Sequence, residues 1–307
     1  MKYSITIPAY KSTFLKECID SILSQTYSDF ELIILNDASP EPIEEIVEQY
    51  DDKRIHYYKN EKNVGAIDVV DNWNKLLDFA QGEYIICMGD DDMLANNCLE
   101  EYNHLIEKYP GLDVYHARTM MIDENSEFCD LQEARPEFES VYSMIWHRTF
   151  KYRIQFVGDY LYRIKTLRKN GGFYKFPLAW ESDCVTSFIA ASSHGIANGD
   201  IPTFFYRQNS RSITSSKQIK LKMDATIAYE KWIDLFLLNE PSDNLDKKYY
   251  SLTKAGIHLI IKKHKVLMIA ADKKNILFWW KNHSLYNLST KDILKAFCIS
   301  IALIFNK

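Results

Sequence analysis

The sequence predicts an α/β protein in which a mostly parallel sheet carries helices on both faces and a helical extension follows at the C-terminal end. Two observations carry this expectation. Over residues 1–118 five short apolar runs alternate with segments of helical period, the order that builds a parallel sheet covered on both sides. From Lys217 onward the helical period continues, with no Gly between Gly199 and Gly256. The stretch between them, residues 119–215, mixes short strands and helices around Gly158, Gly171-Gly172 and Pro177. Three parts are therefore expected: 1–118, 119–215 and 216–307. With 307 residues and 47% hydrophobic content, the chain has material for a substantial core.

The first strand is expected over Tyr3 to Pro8, and the first helix from Ser12 as its cap, because Phe14, Leu15, Cys18, Ile19, Ile22 and Leu23 recur at helical spacing. Phe30 to Leu35 is an unbroken apolar run, the mark of a strand buried on both faces. Pro42 suits the start of a second helix carrying Ile43, Ile46 and Val47. A third strand follows at Arg54 to Tyr58, a third helix at Ala66 to Phe79 and a fourth strand at Glu83 to Met88. A fourth helix at Asn97 to Lys108 and a fifth strand at Leu112 to His116 complete the alternation.

Bulk chemistry narrows the function. A net charge of −5 argues against a protein built to grip a phosphate backbone, so no nucleic-acid partner is expected. The six cysteines show no Cys-x-x-Cys pair and no zinc spacing, and are expected to be reduced thiols. The N-terminus lacks an apolar leader run, which makes a cytoplasmic location the expectation. Ile293 to Phe305 is apolar except for Lys295 and Ser300, too short to span a bilayer. Two readings stay open for residues 290–307: a helix packed on the protein, or one lying at the inner face of a membrane beside Lys291, Lys295 and Lys307.

Ligands of parallel sheets bind beyond the carboxyl ends of the strands, which directs attention to Pro8-Ala9-Tyr10, Asn36-Asp37 and Asp90-Asp91-Asp92. Three adjacent carboxylates repel one another, and a divalent cation such as Mg²⁺ or Mn²⁺ relieves that repulsion while substrate phosphates complete its shell. A solvated acidic turn is the plainer alternative. Asp37 is placed to accept hydrogen bonds from a ribose or base, and the Tyr10 ring to stack on a base. The turn after strand one, Pro8-Ala9-Tyr10-Lys11-Ser12, has neither the Gly-x-Gly-x-x-Gly of dinucleotide binding nor the Gly- and basic-rich loop that a nucleotidyltransferase needs.

Taken in order, IPAYK (7–11), LNDAS (35–39), NVG (63–65) and GDDDML (89–94) resemble the family 2 glycosyltransferases of the GT-A fold, inverting enzymes of bacterial type. The likeness extends to GGFYKFPLAWESD (171–183) and FFYRQNSRSIT (204–214). It implies sugar transfer from a nucleoside-diphosphate sugar, UDP-linked by resemblance, to a hydroxyl of a glycan or lipid-linked acceptor in surface polysaccharide or glycolipid synthesis. Residues 1–118 would then bind the nucleotide-sugar and residues 119–215 the acceptor.

By the same resemblance Pro8, Tyr10, Asp37, Asn63 and Gly65 would line the nucleotide pocket, with Asp91 on the ribose. The metal would sit on Asp92 first and Asp90 second, although many relatives carry an acid at the position of Gly89. Asp183 would be the general base, with Glu181 as its rival, since relatives often carry Glu-Asp side by side where this chain has Glu181-Ser182-Asp183. Trp180 and Tyr174 read as core aromatics more readily than as a sugar platform. Gly171-Gly172 reads as a turn of positive φ, and Arg207 and Arg211 as surface residues or diphosphate ligands. A nucleotidyltransferase and a binding module without turnover remain the alternatives, and the latter would have no use for Asp92 and Asp183 together.

Overall fold

In the computed structural model, residues 1–151, 153–209 and 217–305 are described. Strand β1 (Tyr3–Ala9) leads into α1 (Leu15–Leu23), β2 (Phe30–Asn36), α2 (Ile43–Val47), β3 (Ile55–Lys59), α3 (Val69–Phe79) and β4 (Tyr84–Cys87). β1, β2 and β4 are buried almost throughout, so their sequences read as continuous apolar runs. Ser12 does not cap α1. Its amide and hydroxyl donate to the Glu41 carboxylate at 2.7 and 2.9 Å, and the helix begins at Leu15 without a side-chain cap. The third helix opens as a 3-10 turn over Ala66–Asp68 before α3 proper.

The second half of the sheet departs from simple alternation. After β4 come β5 (Met93–Leu94), α4 (Cys98–Lys108) and β6 (Val114–Ile122), which runs well past the expected end at His116. Then follow β7 (Phe128–Leu131), β8 (Phe138–Glu139), α5 (Val141–Phe150), β9 (Tyr160–Arg163), α6 (Ile164–Lys169), α7 (Ser182–Ala191) and β10 (Ile196–Arg207). The strand order is β3-β2-β1-β4-β9-β6-β10-β5, with β7 on β6 and β8 on β10. β1 to β4 pair in parallel, and so do β6 and β10. Between these sets β9 runs antiparallel to both β4 and β6. The expected fourth and fifth strands are thus not neighbours.

One face of the sheet packs on α1, α2 and α4, and the other on α3, α5 and α7. This second core also takes in α8 (Ile219–Phe236) and α9 (Asn244–Ala271) through Tyr229, Ile233, Ile257 and Ile261. Each of the three Ile side chains contributes about 1.5–3 kcal/mol on burial, so the first C-terminal helices are fixed to the sheet. The rest of α9 joins α10 (Ile276–Asn282) and α11 (Thr290–Phe305) in a separate cluster around Trp279, Tyr286 and Ile293. Among the described residues, no helix is long and apolar enough to cross a membrane.

Candidate functional site

Beyond the carboxyl ends of β1, β2 and β4 lies a cleft of about 910 Å³. Pro8, Tyr10, Asp37, Asn63, Gly65, Asp90, Asp91, Asp92 and Asp183 all line it, as does Glu181. Residues far apart in sequence are therefore brought to one space. At its β2 end, Asp37 is buried and accepts from Asn60 Nδ2 at 2.8 Å and from the Val64 amide at 3.0 Å. Asn63 Nδ2 closes the same loop by donating to the Asp37 carbonyl at 2.8 Å. Gly65 has φ +76°, a conformation that only Gly adopts without strain. The Tyr10 ring is exposed at the cleft edge and leaves a face for stacking.

The acid triplet sits in the turn after β4. Asp90 Oδ2 accepts from the amides of Tyr10 and Lys11, both at 2.7 Å, which ties the triplet to the end of β1. Asp92 accepts from the Arg207 amide at 3.0 Å and the Gly89 amide at 3.3 Å. Asp91 Oδ2 accepts from Lys11 Nζ and Asn209 Nδ2, each at 2.5 Å. Burial pushes the Asp90 carboxyl above its usual range against the pull of Lys11, and burial beside Asp91 pushes Asp92 up further. Such a group resists full ionisation until a cation offsets its charge.

A Cβ on Gly89 would lie 2.8 Å from Asp91 Oδ1 and 2.9 Å from Asp92 Oδ2. A side chain at position 89 would therefore press on two of the three carboxylates, and Gly lets the turn close over them. The donors offered are hard carboxylate oxygens, the chemistry that suits Mg²⁺ or Mn²⁺. Among the described residues, no group of three or more His, Cys, Asp or Glu is arranged to hold a metal unaided. A cation here would share carboxylate and phosphate oxygens.

Arg207 is neither on the surface nor available to a diphosphate. Its side chain is fully buried, donating to the Asp91 and Asp123 carbonyls at 2.9 and 3.1 Å and to Glu17 Oε2 at 2.8 Å. It is the post on which the acid turn leans. Arg211 lies outside the described residues.

Across the cleft, residues 176–183 form the opposing wall. Three non-glycine residues here are left-handed: Leu178 (φ 60°), Ala179 (φ 52°) and Glu181 (φ 65°). Each costs about 1–2 kcal/mol, so the surroundings must hold the path in place. Ser182 Oγ accepts from the Phe176 amide at 3.0 Å, Thr186 Oγ1 accepts from the Tyr174 amide at 2.9 Å, and the Leu178 side chain is buried. The path then delivers Asp183 to the first turn of α7, where the helix dipole favours a carboxylate.

Burial, opposed by Arg148 and reinforced by Glu181, pushes the Asp183 carboxyl up to about 7. Arg148, projecting from α5, lines the cleft as well. Its Nε lies 3.3 Å from Cys184 Sγ and its Nη2 3.6 Å from Glu181 Oε2. Glu181 is thus paired with a cation. Trp180 packs against the core yet lines the cleft, with Lys222 Nζ 4.5 Å from its ring centre. Tyr174 packs against the same core. Gly171 and Gly172 have φ 88° and 87°, and Gly172 abuts the Asn74 side chain, so the pair makes the expected turn.

Sequence reasoning missed Lys11 and Arg148. Lys11 belongs to the IPAYK run, and a cation at the end of the first strand in a chain with three adjacent acids after the fourth is the available signal. For Arg148 no such signal exists in an amphipathic helix.

A mostly parallel sheet with a carboxylate turn at its strand ends, closed by a second half that brings Glu181 and Asp183 to the same cleft, is the arrangement of the GT-A class of fold. The model of glycosyl transferase family 2 matches residues 4–169, more than half of the chain, and the chain belongs to that family. It is 35% identical over 127 residues to an uncharacterised glycosyltransferase of Methanocaldococcus jannaschii, covering 40% of this chain and 42% of the relative. It is 33% identical over 101 residues to a putative teichuronic acid biosynthesis glycosyltransferase, TuaG of Bacillus subtilis, covering 32% of this chain and 39% of the relative. The chain thus matches less than half the length of these relatives.

Among solved structures, S. aureus TarS 1-349 in complex with UDP-GlcNAc aligns at a TM-score of 0.67 and 17% identity, covering 100% of this chain and 93% of that one. A mannosyltransferase of Pyrobaculum calidifontis in complex with GDP-Man and Mn²⁺ aligns at 0.54 and 13% identity, covering 100% and 88%. At these identities the likeness is one of fold.

Proposed function

We propose that the chain transfers a sugar from a nucleoside-diphosphate donor, UDP-linked, to an acceptor hydroxyl with inversion at the anomeric carbon. The observation that carries this reading is that the acid triplet and Asp183 face one cleft from opposite halves of the fold. Tyr10, Asp37, Asn63 and Gly65 take the base and ribose, with Asp91 reaching the ribose from the other side. Asp92, with Asp90 second, would hold a divalent cation that supplies Lewis-acid stabilisation to the departing diphosphate.

Asp183 accepts the proton of the acceptor hydroxyl as that oxygen attacks the anomeric carbon. The bond from that carbon to the diphosphate oxygen breaks on the opposite face, and the electron pair leaves with the nucleotide. A carboxylate with an acidity near neutral suits this task, whereas Glu181 is already engaged by Arg148. Residues 119–215 provide the acceptor half. The name of the TuaG relative, a putative teichuronic acid biosynthesis glycosyltransferase, supports a polysaccharide as the acceptor class, and the lipid-linked alternative rests on the family resemblance alone.

The test is incubation of the purified chain with UDP-, GDP- and dTDP-sugars and Mn²⁺. Slow, metal-dependent hydrolysis of a UDP-sugar is the expected outcome. Failure to bind or hydrolyse any of the three would sink the reading.

Membrane-surface attachment through residues 290–307 is favoured by the outer face of α11. Ile293 and Ala296 pack inward, while Leu294, Phe297 and Ile301 are exposed beside Lys291 and Lys295. Truncation before Thr290 should abolish sedimentation with anionic liposomes and spare donor binding. Equal sedimentation of the two proteins would remove the tail from that role.

A further inference from the structure

We propose that Lys11 is an internal counter-ion of the acid triplet, exchanged for the divalent cation when the donor arrives. The inference rests on reading Asp90, Asp91 and Asp92 as the metal and donor site. Lys11 Nζ lies 2.5 Å from Asp91 Oδ2 and 3.5 Å from Asp90 Oδ1, at the cleft wall. Its own amide donates to Asp90 Oδ2, so the backbone keeps Asp90 seated whatever the side chain does. The ammonium can depart while the site holds its shape.

Arg207, the other cation at the triplet, cannot move in this way. That guanidinium is fully buried and bonded to Glu17, Ser126 and two carbonyls, and no rotamer frees it without breaking them. Lys11 has a flexible four-carbon stem, and its side chain is 21% exposed. An ion bonded to Asp90 at about 2.0–2.1 Å would lie within about 6 Å of the ammonium where it now sits. Two like charges at that separation in a half-buried cleft oppose each other strongly.

Two consequences follow. Without metal, Lys11 holds the carboxylates together and limits their mutual repulsion. A metal alone must displace it, whereas a metal arriving with a diphosphate brings added ligands and negative charge to receive the ammonium. Cation binding is thereby coupled to donor binding.

The experiment titrates Mn²⁺ into the nucleotide-free chain by calorimetry, comparing wild type with Lys11→Met and Lys11→Arg. Lys11→Met should bind Mn²⁺ at least about tenfold more tightly than wild type, while Lys11→Arg, which keeps the charge, should not gain. The melting temperature of Lys11→Met should fall in metal-free buffer and recover on adding Mn²⁺. Lys11→Gln, which keeps a donor to Asp91 but no charge, gives the same readout if Lys11→Met does not fold. Unchanged or weaker Mn²⁺ binding in the uncharged variants, with UDP and Mn²⁺ still bound together, overturns the exchange. If wild type binds no UDP even with Mn²⁺, the donor-site reading itself falls, and this inference with it.

Discussion

At the end of β4 the acid triplet is positioned by regular structure: a buried strand stops, and amides just after β1 and at the end of β10 donate to the carboxylates. Across the cleft, Asp183 is positioned by irregular structure, a path through three left-handed residues locked by Ser182 and Thr186. The first arrangement makes a stiff anionic floor that needs a counter-charge. The second places one carboxyl in a desolvated setting where its proton is held until about neutral pH. The proposed reaction assigns charge neutralisation to one wall and proton transfer to the other, a division open to test by separating binding from turnover.

The largest effect is expected from Asp183→Asn. It preserves shape and removes the basic oxygen, so kcat for transfer should fall about 10²–10⁴-fold with little change in UDP affinity. Next comes Asp92→Ala, which should act the other way round. UDP affinity measured with Mn²⁺ should drop at least about tenfold, and its dependence on Mn²⁺ should vanish. Calorimetry and initial rates on both proteins suffice. Loss of UDP binding in Asp183→Asn, or an unaltered metal effect in Asp92→Ala, would dissolve the division between the walls.

The two walls also differ in how far the sequence reveals them. Pro8, Asp37 and Asp90 to Asp92 are legible because each follows an apolar run whose length and end identify a buried parallel strand. The βα order then dictates which strand ends share an edge. β9 is not legible in that way: four residues carry no usable period, and its antiparallel place between β4 and β6 is chosen by tertiary pairing. Arg207 escapes for a similar reason, since its partners Glu17, Asp91, Asp123 and Ser126 are gathered only by the closed fold. The segment at 176–183 was legible as a motif, but its left-handed path was not, because Leu, Ala and Glu give no local sign of positive φ.

The smallest expected effect decides between the two acids of the acceptor wall. Glu181 contributes to the raised pKa of Asp183 by charge repulsion, while it draws on Arg148, the cation that opposes the rise. Glu181→Gln removes the repulsion and leaves Arg148 with one fewer negative partner. Both changes favour ionised Asp183, so they act with the same sign. In wild type a base with an acidity near 7 must be ionised to work, and the transfer rate should therefore be lost as pH falls through about 7. In Glu181→Gln the rate at pH 8 should stay near normal, while the midpoint of that acid limb moves down by a few tenths to about one pH unit. The measurement is a pH profile of the rate for both proteins. Abolition of transfer in Glu181→Gln at every pH, with donor binding intact, would instead make Glu181 the base and Asp183 its neighbour.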